Sequence, residues 1–171
     1  KKLTNISKLA FFGMKTKAYT VESGNPVFKA KDGVLYTDGW NTLYAYPAGS
    51  AASSFSIPSG VKKIADMAFS RAGNLQKVTF PASVTTLGES AFQESGLKSV
   101  TIPDTIKEAG NFTFYGSKVE SVTFGKGLKT TAYEMFESCS NLKTIHFGGV
   151  QELYARTFAY CSSLETVTLP A

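Results

Sequence analysis

The chain has one histidine, His146, two cysteines, Cys139 and Cys161, and two arginines, Arg71 and Arg156, among its 171 residues. A single histidine leaves a catalytic triad or a histidine-rich metal site without its supporting side chains. The two cysteines add too few ligands to make a metal centre. Glycines are scattered at turns instead of being gathered into a phosphate-cradling loop. No run of about 18 apolar residues is present, so the sequence contains no transmembrane helix. The opening Lys1-Lys2-Leu3-Thr4-Asn5 lacks the apolar stretch of a secretory leader. No catalytic, cofactor-binding or metal-binding residue is assigned, and no enzyme is expected.

The near-absence of arginine also bears on the charge. The formal net charge is +5, concentrated at the start: seven lysines in residues 1–56 face only Glu22, Asp32 and Asp38. Lys1, Lys2, Lys8, Lys15 and Lys17 form a basic cluster that can attract anionic surfaces. Specific phosphate recognition favours the planar fork of arginine. The cluster therefore reads as a solvated edge, and no nucleic-acid partner is expected.

What the sequence does contain is a repeat. Ala68-Phe69, Ala91-Phe92, Thr113-Phe114, Met135-Phe136 and Thr157-Phe158 place phenylalanine at spacings of 23, 22, 22 and 22. Upstream of each lies an apolar pair three apart, Val61/Ile64, Val84/Leu87, Ile106/Ala109 and Val150/Leu153, with the fourth unit imperfect at Leu128/Thr131. Downstream comes a second pattern: Leu75/Val78/Phe80, Leu97/Val100/Ile102, Val119/Val122/Phe124, Leu142/Ile145/Phe147 and Leu164/Val167/Leu169. Pro58, Pro81, Pro103 and Pro170 close the pattern, and Gly125 and Gly148 stand in for proline.

Apolar residues two apart share one face of a strand, while the residue between them points the other way. A proline or glycine then ends the strand. A unit this small cannot bury its own apolar face and must stack on copies of itself. The expected fold is a leucine-rich-repeat-like solenoid, right-handed as such connections are. It is β-rich, a parallel sheet of stacked short strands joined by short turns or helical turns, with the phenylalanines as an interior spine and an inserted β-hairpin.

The insertion interrupts the period. Leu3/Ile6 and Ala10-Phe11 repeat the spacing of Val61/Ile64 and Ala68-Phe69, and Tyr19 and Val21 fit a closing strand. The period then lapses until Ile57-Pro58. Val34–Thr37 and Leu43–Tyr46 are β-rich runs around Asp38-Gly39, a hairpin signal, followed by a small-residue linker. The division reads as a partial repeat over residues 1–21, a hairpin module and linker over 22–56, and five units over 57–171. These bounds suit a piece of a longer protein, and unpaired strands at the ends of the array could support self-association.

The pattern running from Ile57-Pro58 to Phe80-Pro81, and then onward, resembles the BspA-like class of bacterial leucine-rich repeats. Asp32-Gly33-Val34-Leu35-Tyr36 with Tyr46-Pro47-Ala48-Gly49 resembles a module that often precedes those repeats. The resemblance implies an extracellular or cell-surface bacterial protein, and a non-catalytic module for adhesion to a protein or a glycan. The alternative is a structural spacer that displays another domain.

Candidate ligand contacts follow from the exposed strand face: Lys77, Thr79, Thr101, Thr123, His146 and Thr168, with Trp40 and Tyr44 at the hairpin. Threonine is equally a good strand former, and the aromatics equally suit packing of the hairpin onto the first coil. Glu89, Glu94, Glu134 and Glu137 fall at repeat positions expected to be exposed. Cys139 and Cys161 share a small-residue column with Ala72, Ser95 and Ser117 and are expected to be free, buried thiols.

Overall fold

The protein is described by a computed structural model covering residues 2–169. Lys1 of the basic cluster and the closing Pro170 lie outside the described residues. Strand β1 (Lys29–Lys31), β2 (Val34–Thr37) and β3 (Thr42–Ala45) form an antiparallel meander, with a 3-10 turn at Asp38–Trp40. The remaining strands are β4 (Ser54–Ser56), β5 (Lys63–Ile64), β6 (Lys77–Thr79), β7 (Thr86–Leu87), β8 (Ser99–Ile102), β9 (Glu108–Ala109), β10 (Ser121–Phe124) and β11 (Thr144–His146).

Two parallel ladders build the coil. The first apolar pair of each unit supplies a two-residue rung, giving β5–β7–β9 in parallel with Ile64 opposite Leu87 and Leu87 opposite Ala109. The second pattern supplies the other wall, where Val100, Val122 and Ile145 align across β8, β10 and β11. Equal spacing in sequence thus becomes equal register in space. The result is a strand-rich solenoid of about five turns. The Asp38–Trp40 turn is the one helical element among the described residues, and no helix of the described residues is long and apolar enough to cross a membrane.

The spine lies between the walls. Phe69, Phe92, Phe114 and Phe136 are fully buried, each contributing about 1.5–3 kcal/mol through removal from water. Successive rings from Phe69 to Phe158 stack at 4.8, 5.1, 4.8 and 5.6 Å between centroids. Phe80, Phe124 and Phe147, from the closing strands, meet the next spine ring edge-on at 5.9, 5.9 and 6.2 Å. This alternation of stacked and edge contacts suits the ring quadrupole. Around each spine residue the chain turns sharply. The N–H groups of Phe69, Phe92, Phe114 and Phe136 donate to the carbonyls of Ala91, Thr113, Met135 and Thr157 in the following coil, at 2.7–2.8 Å.

The irregular units are accommodated by local chemistry. Thr131, in an aliphatic column, is 4% exposed; its hydroxyl lies 2.8 Å from that of Thr157 and accepts the Tyr154 N–H at 2.8 Å. Gly125 is more than a substitute for proline, because its N–H donates to the Ile102 carbonyl at 2.7 Å. A Cβ there would also lie 2.7 Å from the Asp104 nitrogen.

The hairpin is built into the array. β3 runs parallel to β5, with Leu43 opposite Ile64, and β4 runs parallel to β6, with Phe55 opposite Val78. Tyr46 stacks on Phe69 at 5.0 Å and so heads the spine. Phe11 meets Tyr19 instead, with the rings tilted by 50° and centroids 5.1 Å apart. Together with Ile6, Val21 and Val27 these two rings pack against a separate small core of Phe28, Leu35 and Ala45, which covers the first coil.

Candidate functional site

The outward face of β6, β8, β10 and β11 follows from strand alternation. Val100, Val122 and Ile145 point inward, so the residues between them point to solvent. Lys77, Thr79, Thr101, Thr123, His146 and Thr168 are all exposed. Thr101 pairs with Thr123, Thr123 with His146, and His146 bridges to Thr168. Four side chains therefore form one row at the interstrand spacing of about 4.8 Å. Ser56 and Thr79 extend the pattern on the shorter β4–β6 ladder. Among the described residues, no three His, Cys, Asp or Glu side chains converge as metal ligands do.

The hairpin aromatics separate into two roles. Tyr36 and Tyr46 are buried in the main core. Tyr44 is half-buried; its ring meets Phe28 edge-on at 5.5 Å and its hydroxyl donates to the Ile6 carbonyl. Burial raises the Tyr44 pKa, with Asp66 adding to the shift. Trp40 is 42% exposed and leans on Tyr36 at 5.3 Å. Lys29 Nζ sits 5.8 Å from the Trp40 ring centroid.

One cluster was not anticipated. Glu134 and Glu137, expected to be exposed, are 7% and 3% exposed. The reason is Arg156 in the next coil, whose guanidinium donates to Glu134 Oε1 at 2.8 Å and to Glu137 Oε1 at 2.6 Å. Desolvation raises the Glu137 pKa, Arg156 pulls it back, and Glu134 pushes it up again. The sequence signal was available: Arg156 stands one unit after Glu134, in the same column. Glu89 and Glu94 are exposed as expected, in ion pairs with Lys8 and Arg71.

Cys139 and Cys161 are free and buried. Their thiols donate to the carbonyls of Phe114 and Phe136, at 3.2 and 3.3 Å. The column, with Ala72, Ser95 and Ser117, selects small buried side chains, and its two thiols also donate to the spine of the preceding coil.

Comparison with known proteins agrees with this geometry. Residues 44–165 match the BspA type leucine rich repeat region in six copies. A leucine-rich repeat protein from Eubacterium ventriosum superposes with a TM-score of 0.86 and 33% identity, over 90% of this chain and 42% of that one. A leucine-rich repeat protein from Bacteroides ovatus gives 0.57 and 26%, over 78% of this chain and 42% of the other. A protein from Faecalibacterium prausnitzii, described as a leucine rich cell surface protein, shares the fold at 0.56 and 24%, over 72% and 40%. The chain thus spans about two fifths of the length of these structures. No curated protein matches it in sequence.

Proposed function

Because this chain belongs to the BspA-type leucine-rich-repeat family, we propose that it is a non-catalytic, extracellular interaction module of a bacterial surface protein. The partner, a protein or a glycan of another cell or its matrix, docks on the outward strand face. The observation that carries this reading is the row Thr101–Thr123–His146–Thr168, paired along the parallel ladder with every side chain exposed. Short hydroxyl side chains on a rigid sheet offer donors and acceptors at low ordering cost. Thr79 and Lys77 lengthen the same surface by one coil, and solenoids present such extended faces to partners.

Binding to immobilised extracellular-matrix proteins and to a glycan array tests it. The parent protein is expected to bind at least one component, and Thr101→Glu/Thr123→Glu is expected to abolish that binding with an unchanged melting temperature. Retention of binding by the double variant would overturn the assignment of the face. Silence of the parent across both screens would favour a spacer that displays another domain.

A further inference from the structure

Trp40 is held in an unusual way. Asp38, Gly39 and Trp40 all have left-handed φ values of +54°, +61° and +80°. Left-handed backbone is uncommon for a bulky aromatic residue and costs energy that the surroundings must supply. Here the Asn41 side chain donates to the Asp38 carbonyl at 2.7 Å, and the Thr42 hydroxyl donates to the Asp38 carboxylate at 2.9 Å. The loop is thereby locked with the indole displayed to solvent instead of folded into the core.

The displayed ring borders a cleft of about 250 Å³ lined by Lys31, Tyr36, Trp40, Pro58, Ser59 and Val61. Its walls are largely flat or aliphatic; Lys31 lines it, Lys29 Nζ lies over the Trp40 ring, and both lysines are on the same strand, β1. Neither lysine has an ion-pair partner among the described residues. The carboxylate in this loop, Asp38, is occupied by Thr42, and no carboxylate lines the cleft. The site lies between the hairpin meander and the turn at residues 58–61, whereas the threonine row belongs to the sheet of β8, β10 and β11.

We propose that the Trp40 cleft binds an acidic sugar unit of a glycan, with the pyranose ring stacked on the indole and its carboxylate or sulfate met by Lys29 and Lys31. An apolar face fits the C–H face of a sugar as it fits any flat ring, and the paired cations select against neutral sugars by charge. A locked loop avoids the ordering cost that a mobile tryptophan would incur on binding.

Trp40 is the only tryptophan in the chain, so intrinsic fluorescence reports on this site directly. Hyaluronan hexasaccharide supplies carboxylate alone, chondroitin sulfate hexasaccharide supplies sulfate as well, and cellohexaose supplies neither. At least one acidic probe is expected to change Trp40 emission saturably, with an affinity that falls as salt is added, while cellohexaose is silent. Stronger binding of chondroitin sulfate than of hyaluronan would identify sulfate as the recognised anion, and the reverse order would identify carboxylate. Lys29→Ala and Lys31→Ala are expected to weaken binding about threefold each, and about tenfold together, as exposed charge contacts do. Thr101→Glu/Thr123→Glu is expected to leave the signal unchanged, so failure here and failure of the strand face are separable. Silence of both acidic probes, an equal response to cellohexaose, or unaltered affinity in the double lysine variant would overturn the proposal.

Discussion

Phe92 and Phe114 lie face to face across a coil boundary, with centroids 5.1 Å apart and planes inclined by 8°. Both are fully buried, and both also donate their backbone N–H to the following coil. The same residue thus joins adjacent units through its ring and through its main chain. A substitution that removes the ring leaves the backbone ladder in place, which makes the contribution of the stack measurable.

Phe114→Ala is expected to cost about 3–5 kcal/mol, through lost transfer energy and the cavity left between Phe92 and Phe136. Phe114→Leu keeps most of the volume and is expected to cost less than half as much. Urea unfolding of the two variants against the parent gives both values. A loss below about 1 kcal/mol for the alanine variant would show that the stack is not a main support, since it would fall outside the range for large buried side chains.

The spine and the two ladders were legible because each depends on a column, and a column appears in the sequence as a period. The hairpin was legible as strands, from Val34–Thr37 and Leu43–Tyr46, and its packing onto the first coil as one of two equal uses of its aromatics. That packing rests on Leu43 taking register with Ile64 and on Tyr46 heading the spine; Tyr46 stands 23 residues before Phe69 and so lies on the period, but as tyrosine in a phenylalanine column. Glu134 and Glu137 were misjudged for a related reason. Their burial comes with a single arginine in the next coil, and the period marks the column that Glu134 and Arg156 share but not which charges pair across it. The outward threonines were correctly placed by alternation, but exposure follows from the fold and does not by itself specify a ligand.

The pair Glu134–Glu137 gives a pH prediction. Desolvation by burial raises the folded-state pKa of Glu137, with Glu134 adding to it and Arg156 opposing it. Because the folded pKa lies above the unfolded one, the associated stability is complete below the ordinary carboxylate range and is lost as pH rises through the raised value. Glu137→Gln keeps the shape and removes the titration. The melting temperature of this variant relative to the parent is expected to rise between pH 4 and pH 7. A difference that stays constant with pH would show that Glu137 is not the group responsible. Arg156→Ala should destabilise the parent more at pH 7 than at pH 4, because it leaves two carboxylates without their cation.

Each unit also holds a left-handed residue two positions after its spine phenylalanine: Arg71, Glu94, Gly116, Ser138 and Tyr160, with φ between +52° and +62°. Only the third unit uses glycine there. A Cβ on Gly116 would meet the Glu94 side chain at 3.5 Å, an ordinary contact, so Gly116→Ala isolates the backbone cost. The expected loss is about 1 kcal/mol, and Ser138→Gly is expected to gain a few tenths to about 1 kcal/mol. Opposite signs for the two substitutions in the same denaturation assay are the critical outcome. A stabilising Gly116→Ala would mean that this column is not left-handed in solution.

The thiols report on the opening of the stack. Burial pushes Cys139 up to about 12 and Cys161 to about 11, from an ordinary thiol value of 9.0. Both folded values exceed the unfolded one, so this contribution to stability is complete below about pH 9 and is lost as pH rises toward these values. At pH 8.5, then, neither folded thiol should be a competent nucleophile, because alkylation requires the thiolate. Iodoacetamide should label the native protein only through local opening, and two thiols should appear on denaturation without reductant. The order of labelling tests the architecture more sharply. Cys161 is 9% exposed and Cys139 fully buried, and Cys139 also carries two polar contacts, with Ser117 and with the Phe114 carbonyl. Cys161 sits in the fifth unit, where Tyr160 and Leu169 are exposed, so opening of that coil alone should reach it. Peptide mapping of partially labelled protein is therefore expected to show Cys161 modified well before Cys139. Equal rates at the two sites would mean that the coils open together, and the stack would then be one cooperative unit instead of a series of nearest-neighbour contacts.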